Sequence, residues 1–385
     1  MSRAPRLIRG KRGCIRIPAN DSPVSGTNRV TGREQDLSTR DACRYSRAVE
    51  KGMDVKRGMI AKLLSVTGLG RVLATLPRRG VLVFNYHRIG DDAASQPYDR
   101  ALWSASVDGF DAQVGHLARG FDVISPKDLD YALGDRKGRY ALITFDDGYL
   151  DNYELAYPIL RRHQVPAAFF IATGFIDKPS LPWWDEICWL LRTSPHARIS
   201  LSPWISQPLH LKPDCNGAIA LMLARYKSLP CSDAEAMLHA LRAAAGVRHP
   251  DDVAGHWMNW DMIREMARGG MTIGGHTVNH PVLSRMPKEQ QYREISGCAA
   301  RLKAEVGCDM EYFAYPVGNR TSFNEDTRAC LEAMNVRHAF SYYGGYATQA
   351  SPRYDIPRVA MESHIVQYEF EAMASLPQVC ARPYN

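Results

Sequence analysis

Two histidines four residues apart, His276 and His280 in His-Thr-Val-Asn-His-Pro, and two adjacent aspartates, Asp146 and Asp147, are the residues of this 385-residue chain best suited to chemistry. On one helical turn that spacing sets two imidazoles on the same side, close enough to share a metal ion. Alone it is a weak signal, because most such pairs are unrelated surface or core residues. The aspartates strengthen it: two carboxylates closing the apolar run Leu-Ile-Thr-Phe repel each other unless a cation or a proton separates their roles. A turn also accounts for Asp146-Asp147-Gly148, with Gly supplying positive φ and Asp capping the next helix, and both readings can hold at once. His87 follows Val-Leu-Val-Phe-Asn-Tyr, and Pro316-Val317-Gly318 follow Tyr-Phe-Ala-Tyr, so four strand-like runs end in polar or turn-forming residues.

What must position these residues is an alternation of short β-type runs with helical segments. Strands are predicted over 81–86, 121–125, 141–145, 167–172, 271–274, 312–315 and 338–342. Between them fall helices: one N-capped by Ser106 and running to 118, a short one opened by Pro126, then 150–163, 260–267, 288–306 stopped by Gly307, and 324–334. The alternation breaks between about 178 and 256, a largely helical insertion with helices over 184–192, 218–227 and 233–245, the last capped by Ser232. Repeated βα units predict a parallel sheet. A closed barrel gathers every strand's carboxyl end on one face, whereas an open sheet would strand some of these residues, so closure is expected.

Composition narrows the class. Hydrophobic residues make up 45% and charged residues 23%, and no apolar run approaches the ~18 residues of a membrane span, so a globular α/β protein is expected. Of the 48 Lys and Arg, 18 fall in residues 1–80 with only 6 of the 41 Asp and Glu, so the net +7 belongs to the leader. The rest is mildly acidic, which argues against a nucleic-acid partner. Residues 1–52 lack periodicity and large apolar residues and read as a disordered basic leader without a secretory signal; Met53 and Met59 are alternative starts. Residues 53–79 read as a lead-in with a short amphipathic helix over 59–76. It packs on the domain or, as the second reading, associates weakly with a membrane surface. Nine cysteines without a Cys-x-x-Cys pair suggest reduced thiols and a cytoplasmic location, in preference to an extracytoplasmic one.

Three stretches in order, Thr144-Phe145-Asp146-Asp147-Gly148, His276-Thr277-Val278-Asn279-His280-Pro281 and Phe313-Ala314-Tyr315-Pro316-Val317-Gly318, resemble the first three motifs of the polysaccharide deacetylases, carbohydrate esterase family 4. The flanks 269–275, 166–170 and 356–358 agree, and the resemblance covers about 80–366. It implies a distorted (β/α) barrel of about seven strands, NodB-like, over 80–385, and metal-dependent hydrolysis of acetyl groups, most often the carbon–nitrogen bond of N-acetyl hexosamines. The acetylated glycan or amino-sugar precursor would be the partner. Asp147, His276 and His280 would bind a divalent ion, expected to be zinc, with Asp146 as general base and the Val317 N–H as oxyanion donor beside Tyr315. Two neutral imidazoles and one carboxylate leave coordination positions open for water and an acetyl oxygen.

Two departures matter. Ala314 stands where the family commonly has an arginine that orients the basic aspartate, and Arg358 beside Pro357 is the candidate replacement, although it could equally be a surface residue. The family's late histidine has no clear counterpart: His364 sits in a poor context, and His87, ending the first strand next to the last, is the candidate general acid, with a purely structural histidine as its rival. Trp183 and Trp184 could wall a sugar subsite but more simply divide between core and surface, and Trp257 and Trp260 are expected in the core. An O-acetyl esterase and an inactive carbohydrate-binding homologue are the alternatives to an N-deacetylase.

Overall fold

The computed structural model describes residues 58–67, 73, 79–91, 96–248, 250 and 253–381. The leader 1–52 and most of the lead-in lie outside the described residues. All described residues belong to the second of the two units into which the chain divides, Gly52–Asn385.

The strands, in chain order, are β1 (Val81–Tyr86), β2 (Arg88–Ile89), β3 (Trp103–Ala105), β4 (Asp122–Val123), β5 (Tyr140–Phe145), β6 (Ala168–Ile171), β7 (Arg198–Ile199), β8 (Leu209–His210), β9 (Thr272–Gly275), β10 (Tyr312–Ala314), β11 (His338–Phe340) and β12 (Val359–Ala360). Seven form one parallel path, β11-β10-β9-β6-β5-β1-β12, with β4 added on β5. Strands β1, β5 and β6 are buried on both faces, which is why they read as continuous apolar runs. The ends of the path meet. Ser341 N–H donates to Ile356 O at 3.0 Å and Ile356 N–H to Ala339 O at 2.9 Å, so the chain just before β12 bridges back to β11. The strands thus curl into the distorted barrel that the family resemblance implies.

Register decides which residues meet. Strands β1 and β5 pair without a slip from Val81↔Tyr140 to Tyr86↔Phe145, so the next residues, His87 and Asp146, leave the barrel side by side. Ile171 pairs with Gly275 and Phe313 with Gly275, which carries His276 to the same rim. A Cβ on Gly274 would meet Phe170 at 2.7 Å and the Tyr312 carbonyl at 2.8 Å; only glycine lets β9 fit between its neighbours there.

Several local expectations need correction. The segment expected as strand 121–125 pairs only over Asp122–Val123, because Phe121 closes the preceding helix and Ser125 starts a 3-10 turn. The helix expected over 150–163 opens with a π-turn at Asn152–Ala156 before the α-helix Tyr157–Arg162. Ser232 is not a cap, since the helix already starts at Cys231 after Pro230. The insertion carries three helices, Trp183–Thr193, Asn216–Ser228 and Cys231–Ala245, plus the unanticipated antiparallel pair β7–β8. Trp257 is buried, but Trp260 is only half-buried, its Nε1 donating to Asp177 at 2.8 Å.

Candidate active site

At the carboxyl ends of β1, β5, β9 and β10 a cavity of about 220 Å³ is lined by His87, Asp146, Asp147, His276, His280, Tyr315 and Val317, among others. The two histidines do not reach it on a helical turn. Residues 276–280 form a bend with Thr277 at φ 67° and His280 at φ 54°, and Thr277 Oγ1 accepts the His280 N–H at 2.9 Å. Asp147 (φ 75°) and Val317 (φ 63°) are also left-handed. Such backbone costs of order 1 kcal/mol or more per non-glycine residue, and its concentration at one rim shows that side-chain placement overrides local preference there.

Asp147 Oδ1 lies 3.4 Å from His276 Nε2 and 3.5 Å from His280 Nε2, and the three ligand atoms lie within 4.8 Å of one another. A tetrahedral ion with bonds of about 2.1 Å separates its ligands by roughly 3.4 Å, so the spacing fits a zinc-sized cation. The buried Asp147 Oδ1 accepts no hydrogen bond, a deficit that a cation would fill. His276 Nδ1 is 2.8 Å from the Ala314 carbonyl. A carbonyl can only accept, so that bond puts the ring proton on Nδ1 and leaves Nε2 as a ligand. The His280 ring packs against Trp184, with centroids 4.3 Å apart.

Electrostatics separates the two carboxylates. Arg358, fully buried, donates from Nη1 and Nη2 to Asp146 Oδ1 and Oδ2 at 2.7 and 2.8 Å, and Asn85 Nδ2 adds a bond to Oδ2 at 3.2 Å. Burial alone would raise the Asp146 carboxyl; the Arg358 guanidinium overrides it and holds the group well below the carboxylate range. Asp147 is also lowered, against its burial, by the neighbouring His276 and His280 imidazoles. Burial and the neighbouring His276 push His280 down to about 3, which keeps its imidazole neutral.

His87 Nε2 lies 3.9 Å from Asp146 Oδ2, its ring edge against Tyr342 with centroids 5.3 Å apart. Its carbonyl accepts from Asn152 Nδ2 at 2.6 Å, so the π-turn that opens the helix after Asp147 also fixes the end of β1. His364 is exposed beside Glu362 and outside the cavity lining. Val317 N–H, at the rim, has no acceptor among the described residues. Tyr315 borders the cavity, its ring stacked on Phe323 at 3.9 Å and its hydroxyl donating to the Tyr354 carbonyl at 2.8 Å. Trp183 and Trp184 are both buried rather than split, and both line the cavity.

Sequence reasoning did not single out Asn85, which bonds Asp146, or Asp99 and Lys227, which also line the cavity. Asn85 left a trace, an amide inside an otherwise apolar strand; the other two arrive through loop and insertion geometry that no local pattern announces.

The family model for polysaccharide deacetylases matches residues 134–203 and 224–339, and over that span the chain is similar to that family. The gap in the match falls inside the insertion. YxkH of Bacillus subtilis, a protein assigned to the polysaccharide deacetylases, is 20% identical over 243 residues, 62% of this chain and 59% of its own length. The solved structure of the Streptococcus pyogenes deacetylase PplD in complex with acetate shares the fold with a TM-score of 0.52 at 18% identity, over 79% of this chain and 99% of that one.

Proposed function

We propose that the protein is a metal-dependent hydrolase that removes N-acetyl groups from amino sugars of a glycan or glycan precursor. One observation carries this: Asp147 and two imidazoles face a common point while a second carboxylate, Asp146, stands beside it with its own guanidinium partner. Asp147, His276 and His280 would hold the ion, zinc by donor set and spacing. When bound, a divalent ion supplies Lewis acidity toward an acetyl oxygen and a water molecule.

The chain's own residues do the rest. Asp146, kept ionised by Arg358, accepts the proton of the attacking water. The free Val317 N–H donates to the oxygen on which negative charge develops. His87, with Nε2 3.9 Å from Asp146 Oδ2, would protonate the departing amine, without which an amide cleaves poorly. An inert binding module would have no use for the Arg358–Asp146 pair, whose burial is costly without a task.

Metal content and acetate release, measured on wild type and Asp146→Asn with N-acetylglucosamine oligomers and acetylated xylan, test the reading. Expected are one ion per chain in both proteins and acetate from the oligomers only with wild type. Acetate from xylan alone would make the protein an O-acetyl esterase, and metal binding without acetate from either would make it an inactive homologue.

The reading extends to location. Helix 58–67 buries Ala61 and Leu64 and exposes Met59, Leu63 and Val66 on one face, spaced i, i+4, i+7, next to Lys62. With the basic residues before it, this face suits weak docking on an anionic membrane surface. The described cysteines are unpaired, which fits a reducing cytoplasm. Sedimentation with anionic vesicles, lost in Leu63→Glu, is the check.

A further inference from the structure

One wall of the catalytic cavity is built by the insertion rather than by the barrel. Lys227, near the end of the helix Asn216–Ser228, lines the same cavity as Asp146, Asp147 and His276. Its ammonium stands 5.8 Å from the centre of the Trp183 ring, and among the described residues it has no carboxylate oxygen within 4.0 Å. The acids around it are engaged elsewhere. Arg358 holds Asp146, Asp147 faces the two imidazoles, Asp99 accepts the Ala101 N–H at 3.0 Å, and Glu362 lies 3.3 Å from His364 Nδ1.

An ammonium at the mouth of a cavity, resting on an aromatic face and lacking a bonded counterion, is a ready partner for a charge the ligand brings. The ring below it, Trp183, also donates from Nε1 to the His280 carbonyl at 3.3 Å, which ties this wall to the bend carrying a metal-ligand candidate.

We propose that Lys227 Nζ receives an anionic group of the substrate, a carboxylate or a phosphate on the sugar being deacetylated or on its immediate neighbour, so that the preferred substrate is an acidic rather than a neutral amino-sugar glycan. The proposal rests on the deacetylase reading and narrows its substrate class. Specificity of this kind appears as binding: a contact made equally in ground and transition states changes KM and leaves kcat.

The test uses the metal-loaded full chain and three substrates: a neutral N-acetylglucosamine oligomer, an oligomer alternating N-acetylglucosamine with N-acetylmuramic acid, and N-acetylglucosamine carrying a phosphate. Wild type is expected to favour one of the anionic substrates over the neutral one by about two- to fivefold in kcat/KM, the range of a partly exposed charge contact. The preference should shrink with salt. In Lys227→Met the anionic-to-neutral ratio should fall to near one through KM, and Lys227→Arg should restore most of it. Which anion is favoured separates carboxylate from phosphate. No preference in wild type, or an equal loss on all substrates in Lys227→Met, overturns the proposal. If no substrate releases acetate, the deacetylase reading fails on its own, and calorimetry with Asp146→Asn decides the rest. Tighter binding of an anionic ligand that vanishes when Lys227→Met is added supports Lys227, and equal binding of neutral and anionic ligands refutes it.

Discussion

Asp146 and Asp147 are chemically identical neighbours in different surroundings. Asp146 is locked by a guanidinium that carries two bonds to it and by the Asn85 amide; Asp147 has a buried oxygen with no donor at all. The folded-state pKa of Asp146 is depressed, so its pairing stabilises the fold above the unfolded value of about 3.9 and that contribution is lost as pH falls through the folded value. Arg358→Met should therefore raise the Asp146 pKa and move the acid limb of the kcat/KM profile to higher pH, with metal content retained. It should also destabilise the protein by roughly 3–5 kcal/mol, the effect of stranding one member of a buried pair. An unmoved acid limb would mean that Asp146 is not the base. His87→Asn is expected to lower kcat by about a hundredfold or more while leaving metal content intact, since general acid catalysis supplies that much; an unchanged kcat would return His87 to a structural role.

At the scale of elements, the insertion is not a passive appendage. Its first helix, Trp183–Thr193, brings Trp184 onto the His280 ring and Asp185 under the loop before β3. A chain of bonds links them: Trp184 Nε1 donates to the Tyr149 hydroxyl at 2.9 Å, which donates to Asp185 Oδ2 at 2.9 Å, while Asp99 N–H donates to Oδ1 at 2.8 Å. Burial drives the Asp185 carboxyl up to about 7, with the charge of Arg88 opposing it. The sign follows: the folded protein keeps a proton that the unfolded chain releases, so this group favours folding most below about pH 4 and its contribution fades as pH rises toward 7. Asp185→Asn should flatten that part of the stability profile and raise the melting temperature at pH 8 relative to wild type. Thermal unfolding at pH 5, 6.5 and 8 is the measurement, and parallel curves for the two proteins would show that Asp185 stays ionised in the fold.

For the whole molecule, the barrel can be viewed as a device for bringing together residues from positions 85 to 358. Closure at Ile356 sets β12 beside β1, and so Arg358 beside Asn85 and Asp146. A cation bound only by the folded arrangement stabilises it by mass action, about 2.7 kcal/mol at a hundred times its Kd. Zinc added to metal-free protein should raise the melting temperature by several degrees, and Asp147→Ala should abolish the shift. A shift of equal size in Asp147→Ala would place the ion elsewhere.

The βα alternation, the strand ends and the three ordered motifs are local features, and the sequence by itself carried them: apolar runs of strand length mark buried parallel strands, and polar residues at their ends mark the rim. It also named Arg358 as the partner of Asp146, since a buried carboxylate needs a countercharge. It could not tell that Arg358 from a surface arginine, because its two bonds to Asp146 depend on which strand closes the barrel. Nor could it see that His276 and His280 meet through a left-handed bend rather than a helical turn, since spacing of four says nothing about φ. The tertiary structure alone brought Asn85 to Asp146, set Asp99 and Lys227 in the cavity wall, and stacked the Tyr315 ring on Phe323. Each of these depends on contacts between segments far apart in the chain, where burial and register, not neighbouring residues, set the geometry.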